Sequence, residues 1–447
     1  MGPTLAAPPR GPSWPLGRLP ALTLSMRTRA WLGYGAITVL LVCGLTLAVG
    51  AASSPSTEVP VSYLGFPGWL AGPLPDVDLH LGSRRFVPLI VVMALSQGLA
   101  LWVSDALEAR WVVAAVVAGH VVFTLAPPIL SPDVFGYLAY ARMGALYGLN
   151  PYVYLPEIPW DDVYNYIRWR DQLDPYGPLF TLISYPIAFL GVAGGLWAMK
   201  ALMGLASLGL VGLVWMSARR LEIAPLAPTL FVGLNPFLLV YGVGGAHNDL
   251  LMMAFVMGAV WLAVSGREAA GGGALVGAAA VKALSPALLL PFYVLACRQR
   301  WRALIGVLAG GCAILAVSLL AFGDEVFGLL SAWATQGEKI STHNFPNAIG
   351  WYLGLGGVTA GVRVVAASTL GASLLVLAVL TWRRRLDLPT AMGWGTLALL
   401  VTTTWLMHWY LVWLLPLAAL GRSPALRWAA LLLPAVMVVL GLPPVPK

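Results

Sequence analysis

Residues 271–297 read GGGALVGAAAVKALSPALLLPFYVLAC and run directly into Arg298-Gln299-Arg300-Trp301-Arg302. A bilayer core about 30 Å thick takes roughly 20 apolar residues per helix, so this stretch is too long for a single crossing. Ser285-Pro286 is expected to split it, because proline cannot donate to the helix ladder and disfavours helix at the residue before it. The flanking charges decide what the split means. Lysine and arginine concentrate on the cytoplasmic side of membrane proteins. Arg267 before the stretch and Arg298, Arg300 and Arg302 after it share that side only if 271–297 is a short helical hairpin that enters and leaves on one face.

Working outward, apolar runs of spanning length occur at 31–51, 86–104, 111–130, 197–217, 226–243, 249–265, 303–322, 361–382, 388–406, 409–421 and 427–442. A second awkward stretch, 178–196, is interrupted by Pro186 and by Gly191, Gly194 and Gly195. If it only dips into the membrane, then Arg27 and Arg29, Arg110, Arg219-Arg220, Arg267, 298–302, Arg383-Arg384-Arg385, and Arg422 with Arg427 all lie inside. Arg84-Arg85 is then the one exception. The expected fold is an all-α polytopic membrane protein with about 11–13 transmembrane helices. Two elements are broken or re-entrant, and interfacial helices lie in the outer loops. Residues 1–25, rich in Pro and Gly, are expected as a disordered cytoplasmic tail, and 26–447 as one transmembrane domain with its C-terminus outside. The first span reads as an uncleaved anchor. Its outer loops would be 131–177 and 323–360.

Composition excludes the soluble classes. Of 447 residues, 59% are hydrophobic and only 10% charged, against about a quarter charged in soluble domains. Nineteen Trp and fifteen Tyr suit a protein with two membrane interfaces to mark. Three cysteines give neither a disulfide framework nor a zinc site. The formal charge of +8 sits at membrane flanks, with no basic stripe for nucleic acid. No GxGxxG after a strand and no P-loop occur.

In such a chain the informative residues are the polar ones that the membrane did not exclude. Loop 131–177 begins with Ser131-Pro132-Asp133, where Ser131 could cap a helix that carries Asp133 in its first turn. Val134, Tyr137, Leu138, Ala141 and Ala145 recur at helical spacing, as in a helix lying along the membrane surface. Asp133 is either a reactive carboxylate or one that satisfies backbone N–H groups. Farther on, Glu157, Asp161, Asp162, Arg168, Arg170, Asp171 and Asp174 interleave with Tyr152, Tyr154, Trp160, Tyr164, Tyr166, Trp169 and Tyr176. Aromatic faces beside carboxylates suit a sugar site, and an interfacial aromatic belt would look the same. Other clusters are Gly244-Gly245-Ala246-His247-Asn248-Asp249, Lys282, the group Glu338, Lys339, His343 and Asn344, and His408-Trp409-Tyr410. Asn248 or Asp249 could simply cap the next helix, and Lys282 needs a carboxylate, a cavity or a phosphate. Each histidine could hold a phosphate oxygen or merely bond a carbonyl. Asp133, Asp249 and His247 could converge on a metal, although no spacing argues for one.

The order of these motifs carries a resemblance. Pro132-Asp133-Val134-Phe135-Gly136-Tyr137 is followed by Asn150-Pro151-Tyr152 and by Asp174-Pro175-Tyr176-Gly177-Pro178-Leu179. Then come Gly245-Ala246-His247-Asn248-Asp249, Ala280-Val281-Lys282-Ala283-Leu284, and His408-Trp409-Tyr410-Leu411 before Leu414-Leu415-Pro416. Over roughly 31–442 this is similar to the polyprenol-phosphate-mannose-dependent α-1,6-mannosyltransferases of actinobacterial envelope synthesis, in the GT-C superfamily. Where that family often has Asp-Val-Tyr-Ser-Tyr, this chain has Asp133-Val134-Phe135-Gly136-Tyr137, which bears on the acceptor more than on the reaction.

The resemblance implies an inverting glycosyltransferase that takes a sugar, mannose foremost, from a polyprenyl-phosphate donor to a glycan or glycolipid acceptor. The reaction would occur at the outer face of the bacterial cytoplasmic membrane. Asp133 would be the general base. The donor phosphate would be met by Lys282, Lys339, His343, His408, Arg168 or Arg170. Tyr137, Tyr176, His247, Asn248, Asp249 and Tyr410 would meet the sugar or acceptor. No cofactor is expected, because the lipid-linked sugar is already activated, and a divalent metal stays an open alternative. The competing reading is a transporter or lipid flippase, which predicts charges at the bilayer midplane and two related halves. No such repeat is visible. A GT-C transferase with another lipid-linked donor would keep the fold and change the substrate.

Overall fold

A computed structural model describes residues 24–437 apart from 54–58, 60–64, 75–76, 80 and 82. The expected tail 1–25 and the C-terminal end of the last run therefore lie largely outside the described residues. Among them the chain is all-helical and polytopic. In order come α1 (Met26–Ala52), the short α2 (Gly68–Ala71), α3 (Ser83–Trp102), α4 (Ala109–Leu125), α5 (Asp133–Tyr147), α6 (Pro178–Ala188) and α7 (Gly191–Arg220). Next are α8 (Leu226–Gly233), a π-helical segment (Phe237–Gly244), α9 (Asp249–Val264), α10 (Glu268–Val281), α11 (Leu284–Ala296) and α12 (Arg300–Phe322). The series ends with α13 (Leu329–Glu338), α14 (Phe345–Tyr352), α15 (Ala360–Trp382), α16 (Leu388–Thr402), a 3₁₀ segment (His408–Trp413), α17 (Leu415–Leu420) and α18 (Pro424–Ala435).

Every predicted apolar run carries a helix among the described residues, but the helices differ in reach. Five are long and apolar enough to cross a membrane: Met26–Ala52, Arg85–Trp102, Gly191–Arg220, Arg300–Glu338 and Ala360–Trp382. α8 and the π segment, which meet at 52°, are together apolar enough to cross as one bent span or to form a re-entrant loop. The run 226–243 was expected as one apolar span. It bends because Pro236 cannot donate to the Val232 carbonyl, and Asn235 Oδ1 instead accepts the Phe237 N–H at 2.9 Å. Seven further apolar helices have 10–17 residues. Such lengths rise only about 15–25 Å. Three of the seven, α10, α11 and α16, have an end at one shared cavity.

Both broken elements form, with shifted breaks. The 178–196 stretch breaks at Phe189-Leu190, and Gly191 opens α7 with φ +70°, a left-handed conformation that glycine adopts freely. In the second stretch the break is at Lys282-Ala283 rather than Ser285-Pro286. Pro286 lies in the first turn of α11, where its missing N–H is not needed. The bond it cannot make is the one to the carbonyl four residues back, at Lys282, so the ladder fails there. The two arms do return to one level. The Glu268 carboxylate, at the start of α10, accepts the backbone N–H groups of Arg298 (2.7 Å) and Gln299 (2.9 Å), just past α11.

The two long loops meet each other. Asn150 Nδ2 donates to the Phe322 carbonyl at 3.0 Å and Trp333 Nε1 to the Pro175 carbonyl at 3.0 Å. Ser341 N–H in turn reaches the Thr404 carbonyl at 2.9 Å. Loops 131–177 and 323–360 and the segment ahead of His408 thus lie on one side of the helical body.

A candidate active site between the two long loops

Where these loops meet, a cavity of about 670 Å³ opens. Its first wall is α5 and the loop after it, with Asp133, Gly136, Tyr140, Trp169, Gln172 and Tyr176. The second is the α10–α11 break, with Lys282, Leu284 and Leu288. The remaining walls come from the second loop (Trp333, Gln336, Lys339), α15 (Arg363, Ala367, Leu370) and the region 402–413 (Trp405, Trp409, Tyr410, Trp413).

Asp133 is the first residue of α5, and the capping position is Pro132 rather than the expected Ser131, whose Oγ nevertheless accepts the Asp133 N–H at 3.2 Å. The helix itself is buried on more of its circumference than one membrane-facing stripe would need, because Phe135, Ala139, Tyr140 and Met143 are buried as well. The Asp133 side chain keeps 15% exposure, toward the cavity, and Oδ2 stands 3.7 Å from His247 Nδ1. Burial pushes its carboxyl above the usual range. The Lys282 charge and the Trp169 and Ser131 hydrogen bonds oppose that rise, and the Asp249 charge adds to it.

Lys282 satisfies two of its expected options together. Its ammonium pairs with Asp249 at 2.9 Å, lies 4.7 Å from the Tyr410 ring centre, and lines the cavity. Asp249 also accepts from Trp413 Nε1 at 2.6 Å. Neither Asn248 nor Asp249 caps α9 with its side chain, which corrects the capping expectation. Asp249 is turned to Lys282, away from any metal set with Asp133 and His247. Among the described residues no three His, Cys, Asp or Glu side chains could hold a metal ion.

Lys339 is the second cavity lysine. It bonds Gln172 Oε1, which also accepts from Gln336 Nε2 at 3.0 Å, and it sits 4.5 Å from the Trp169 ring centre and 5.3 Å from that of Trp405. Burial lowers its pKa to about 8, with the Asp171 and Asp133 charges opposing. No carboxylate pairs with it directly among the described residues.

The other predicted site residues divide. Tyr176 and Tyr410 line the cavity. Tyr137 is buried behind it, packed edge-on to Tyr176 and Phe180, with its hydroxyl at 3.5 Å from Asn248 Oδ1. His247, Asn248 and Asp249 form a buried layer behind the wall. His343 and His408 face each other at 5.7 Å, His408 stacks on Tyr241, and neither lines the cavity. Arg168 lies over Trp169 and Arg170 over Tyr164, both outside the lining. Two carboxylates of the first loop are internal: Asp161 pairs with Arg142 at 2.7 Å, and Asp174 accepts the Tyr176 N–H and the Thr181 hydroxyl, each at 2.9 Å.

Several lining residues escaped the sequence reading. Gln172 and Gln336 are neutral, and a search for charges passes over them. Arg363 was hidden in the apolar run 361–382, yet a signal existed. It is an arginine at the outer end of an expected span, and it donates to the Gly337 and Glu338 carbonyls at 2.9 and 2.6 Å.

A family model described as alpha-(1→6)-mannopyranosyltransferase, N-terminal domain, matches residues 30–299. The chain is 32% identical over 332 residues to alpha-(1→6)-mannopyranosyltransferase A of Mycobacterium tuberculosis, covering 66% of this chain and 62% of that one. To a probable alpha-(1→6)-mannopyranosyltransferase of Mycolicibacterium smegmatis it is 28% identical over 378 residues, 71% of this chain and 66% of that one. To alpha-(1→6)-mannopyranosyltransferase B of Corynebacterium glutamicum it is 24% identical over 346 residues, 66% of this chain and 56% of that one. The chain thus spans just under two thirds of the length of the curated relatives it matches. No solved structure matches it.

Proposed function

Because the chain belongs to the alpha-(1→6)-mannopyranosyltransferase family, we propose that it moves a mannosyl residue from a polyprenyl-phosphate donor to a glycan or glycolipid hydroxyl. The reaction is placed at the outer face of the cytoplasmic membrane and inverts the anomeric carbon. One observation carries the reading: a partly exposed carboxylate, Asp133, shares a cavity with two lysines and five tryptophans, and Leu284, Leu288, Ala367 and Leu370 give it an apolar wall.

Asp133 takes the proton of the acceptor hydroxyl, whose oxygen attacks the anomeric carbon from the face opposite the phosphate. The bond between that carbon and the phosphate oxygen breaks, and polyprenyl phosphate leaves with one more negative charge than it had as a diester. Charge therefore develops on the phosphate as the bond breaks, and fixed cations lower that barrier. Lys339 suits this task, since no carboxylate neutralises it directly, and Lys282 adds to the field although Asp249 already holds it. Tyr176, Tyr410 and the indoles supply flat apolar faces for the sugar. Leu284, Leu288, Ala367 and Leu370 offer a surface that suits the first isoprene units.

The test is transfer from labelled polyprenyl-phosphate mannose to a panel of mannosides by the reconstituted protein. Acceptor-dependent transfer is expected, and a base of this kind contributes about 10²- to 10⁴-fold, so Asp133→Asn should lose that much. Full activity in Asp133→Asn would overturn the base assignment. Movement of lipid without sugar transfer would favour a flippase. Loss of activity with a chelator would give to a metal the charge assigned here to the lysines.

A further inference from the structure

His247 was read from the sequence as a sugar or acceptor ligand, but it does not line the cavity; Asp133 does. The imidazole is 1% exposed, and neither of its ring nitrogens has a hydrogen-bond partner. A buried polar atom left unpaired is costly, and native structures rarely tolerate two on one ring without a use for them. The ring is nevertheless tightly held. It stacks on the Trp409 indole, centroids 3.8 Å apart at 14°, and a Cβ at Gly245 would lie 2.8 Å from Nε2. Its backbone is anchored by the His247 N–H to the Gly242 carbonyl at 3.1 Å, and Lys200 Nζ donates to the neighbouring Gly244 carbonyl at 2.8 Å. Its Nδ1 edge faces Asp133 Oδ2 at 3.7 Å, short of a hydrogen bond by under one ångström.

We propose that His247 is the positioning residue for Asp133: in the reactive complex its Nδ1–H donates to Oδ2, leaving Oδ1 to take the acceptor proton. This rests on Asp133 being the base. Such contacts are commonly long before substrate binds and tighten in the reactive complex. Burial, with the charges of Lys282 and Lys200 nearby, holds the imidazole well below the usual histidine range, so the ring is neutral and one nitrogen can donate. The other groups that bear on Asp133 are Ser131, Tyr137 and Tyr140 from the α5 region, Trp169 and Tyr176 from the loop, Asp249 from α9, Lys282 from the break, Lys339 from the second loop, and Tyr410. Of these, Ser131 and Trp169 alone hydrogen-bond the carboxylate, and neither ring nitrogen of His247 has another partner.

The experiment compares His247→Phe, His247→Gln and His247→Asn in the same transfer assay. Phenylalanine keeps the stack on Trp409 and removes both nitrogens. A glutamine amide falls near Nε2, and an asparagine amide falls near Nδ1. We expect kcat in His247→Phe and His247→Gln to drop about 10- to 100-fold, the size of effect seen for partners that orient a reacting ligand, with donor KM within about threefold. The acid limb of kcat should move to higher pH in both, because in the reactive complex the carboxylate loses a donor to its charged form. His247→Asn should restore both kcat and the limb to near wild type. A His247→Phe enzyme with wild-type kcat and acid limb overturns the proposal, and so does His247→Asn no better than His247→Gln. Asp133→Asn run in parallel separates the two readings. If it is inactive and His247→Phe is unaffected, only the role of His247 fails. If Asp133→Asn is active, the base assignment fails and takes the His247 role with it.

Discussion

Lys282 reaches both carboxylate oxygens of Asp249, at 3.0 and 2.9 Å, and so ties the break between α10 and α11 to the first residue of α9. Asp249 is fully buried, and Lys282 keeps 15% exposure toward the cavity. Removing one partner of a buried pair leaves the other charged and desolvated. Lys282→Met should therefore destabilise the protein by about 3–5 kcal/mol. The double variant Lys282→Met with Asp249→Asn should recover part of that loss, measured as a double-mutant cycle of thermal unfolding in detergent.

Lys339, with its pKa lowered to about 8, is charged below that pH and loses its charge as the pH rises through it. If it holds the donor phosphate, kcat/KM for the donor should decline above about pH 8, since this ratio reports groups of the free enzyme. Lys339→Arg stays charged and should move that alkaline limb upward. Lys339→Met should depress kcat/KM about tenfold or more at neutral pH. An alkaline limb unchanged in Lys339→Arg would remove Lys339 from the donor site.

Asp174 carries a stability signature instead. Burial raises its pKa to about 7, so the folded state holds a proton that the unfolded chain has already lost between about pH 4 and 7. Stability from this group is present at low pH and falls as the pH rises through that window. Asp174→Asn keeps an acceptor for the Tyr176 N–H and can donate to Thr181. Its unfolding midpoint should depend less on pH between 4 and 7 than that of the wild type.

Gly177 joins the first loop to the hairpin. Its N–H donates to the Val281 carbonyl at 3.0 Å, and a Cβ there would stand 2.1 Å from the Ala280 carbonyl oxygen. Gly177→Ala must push the loop away from the residues just ahead of Lys282. We expect a loss of about 2–4 kcal/mol, as for overpacking with backbone displacement, and a fall in kcat larger than the change in donor KM. A thermal scan and initial-rate kinetics on the same preparation check both.

Much of this arrangement was legible in the sequence, because a membrane leaves few places for charge. The arginines sorted the chain into sides, and the loops placed together by that sorting do touch, through Trp333 and Pro175. Asp133, Lys282, Lys339, Tyr176 and Tyr410 share one cavity. What escaped depends on contacts far apart in sequence. Lys282 and Asp249 are separated by 33 residues, and Trp413 reaches Asp249 from 164 away. Tryptophans outside the polar clusters were read as interface markers, so Trp333, Trp405 and Trp413 were not singled out as cavity walls. His343 and His408 were chosen by residue type and side, and their rings turn toward each other and Tyr241. The second break was misplaced by a few residues, since a proline is felt four residues upstream of where it stands, and the first falls beside Gly191 rather than at Pro186.

The return of the hairpin to Glu268 makes its two arms a ruler. A segment that ends where it began leaves the sidedness of the later chain unchanged, whatever its length, so arm length is free to set something else. It sets how far Lys282 protrudes. One extra turn in each arm would carry the ammonium about 5.4 Å past Asp249 without altering the topology of a single following helix. The position of one charge relative to Asp133 is thus adjustable by paired insertions, independently of the rest of the fold.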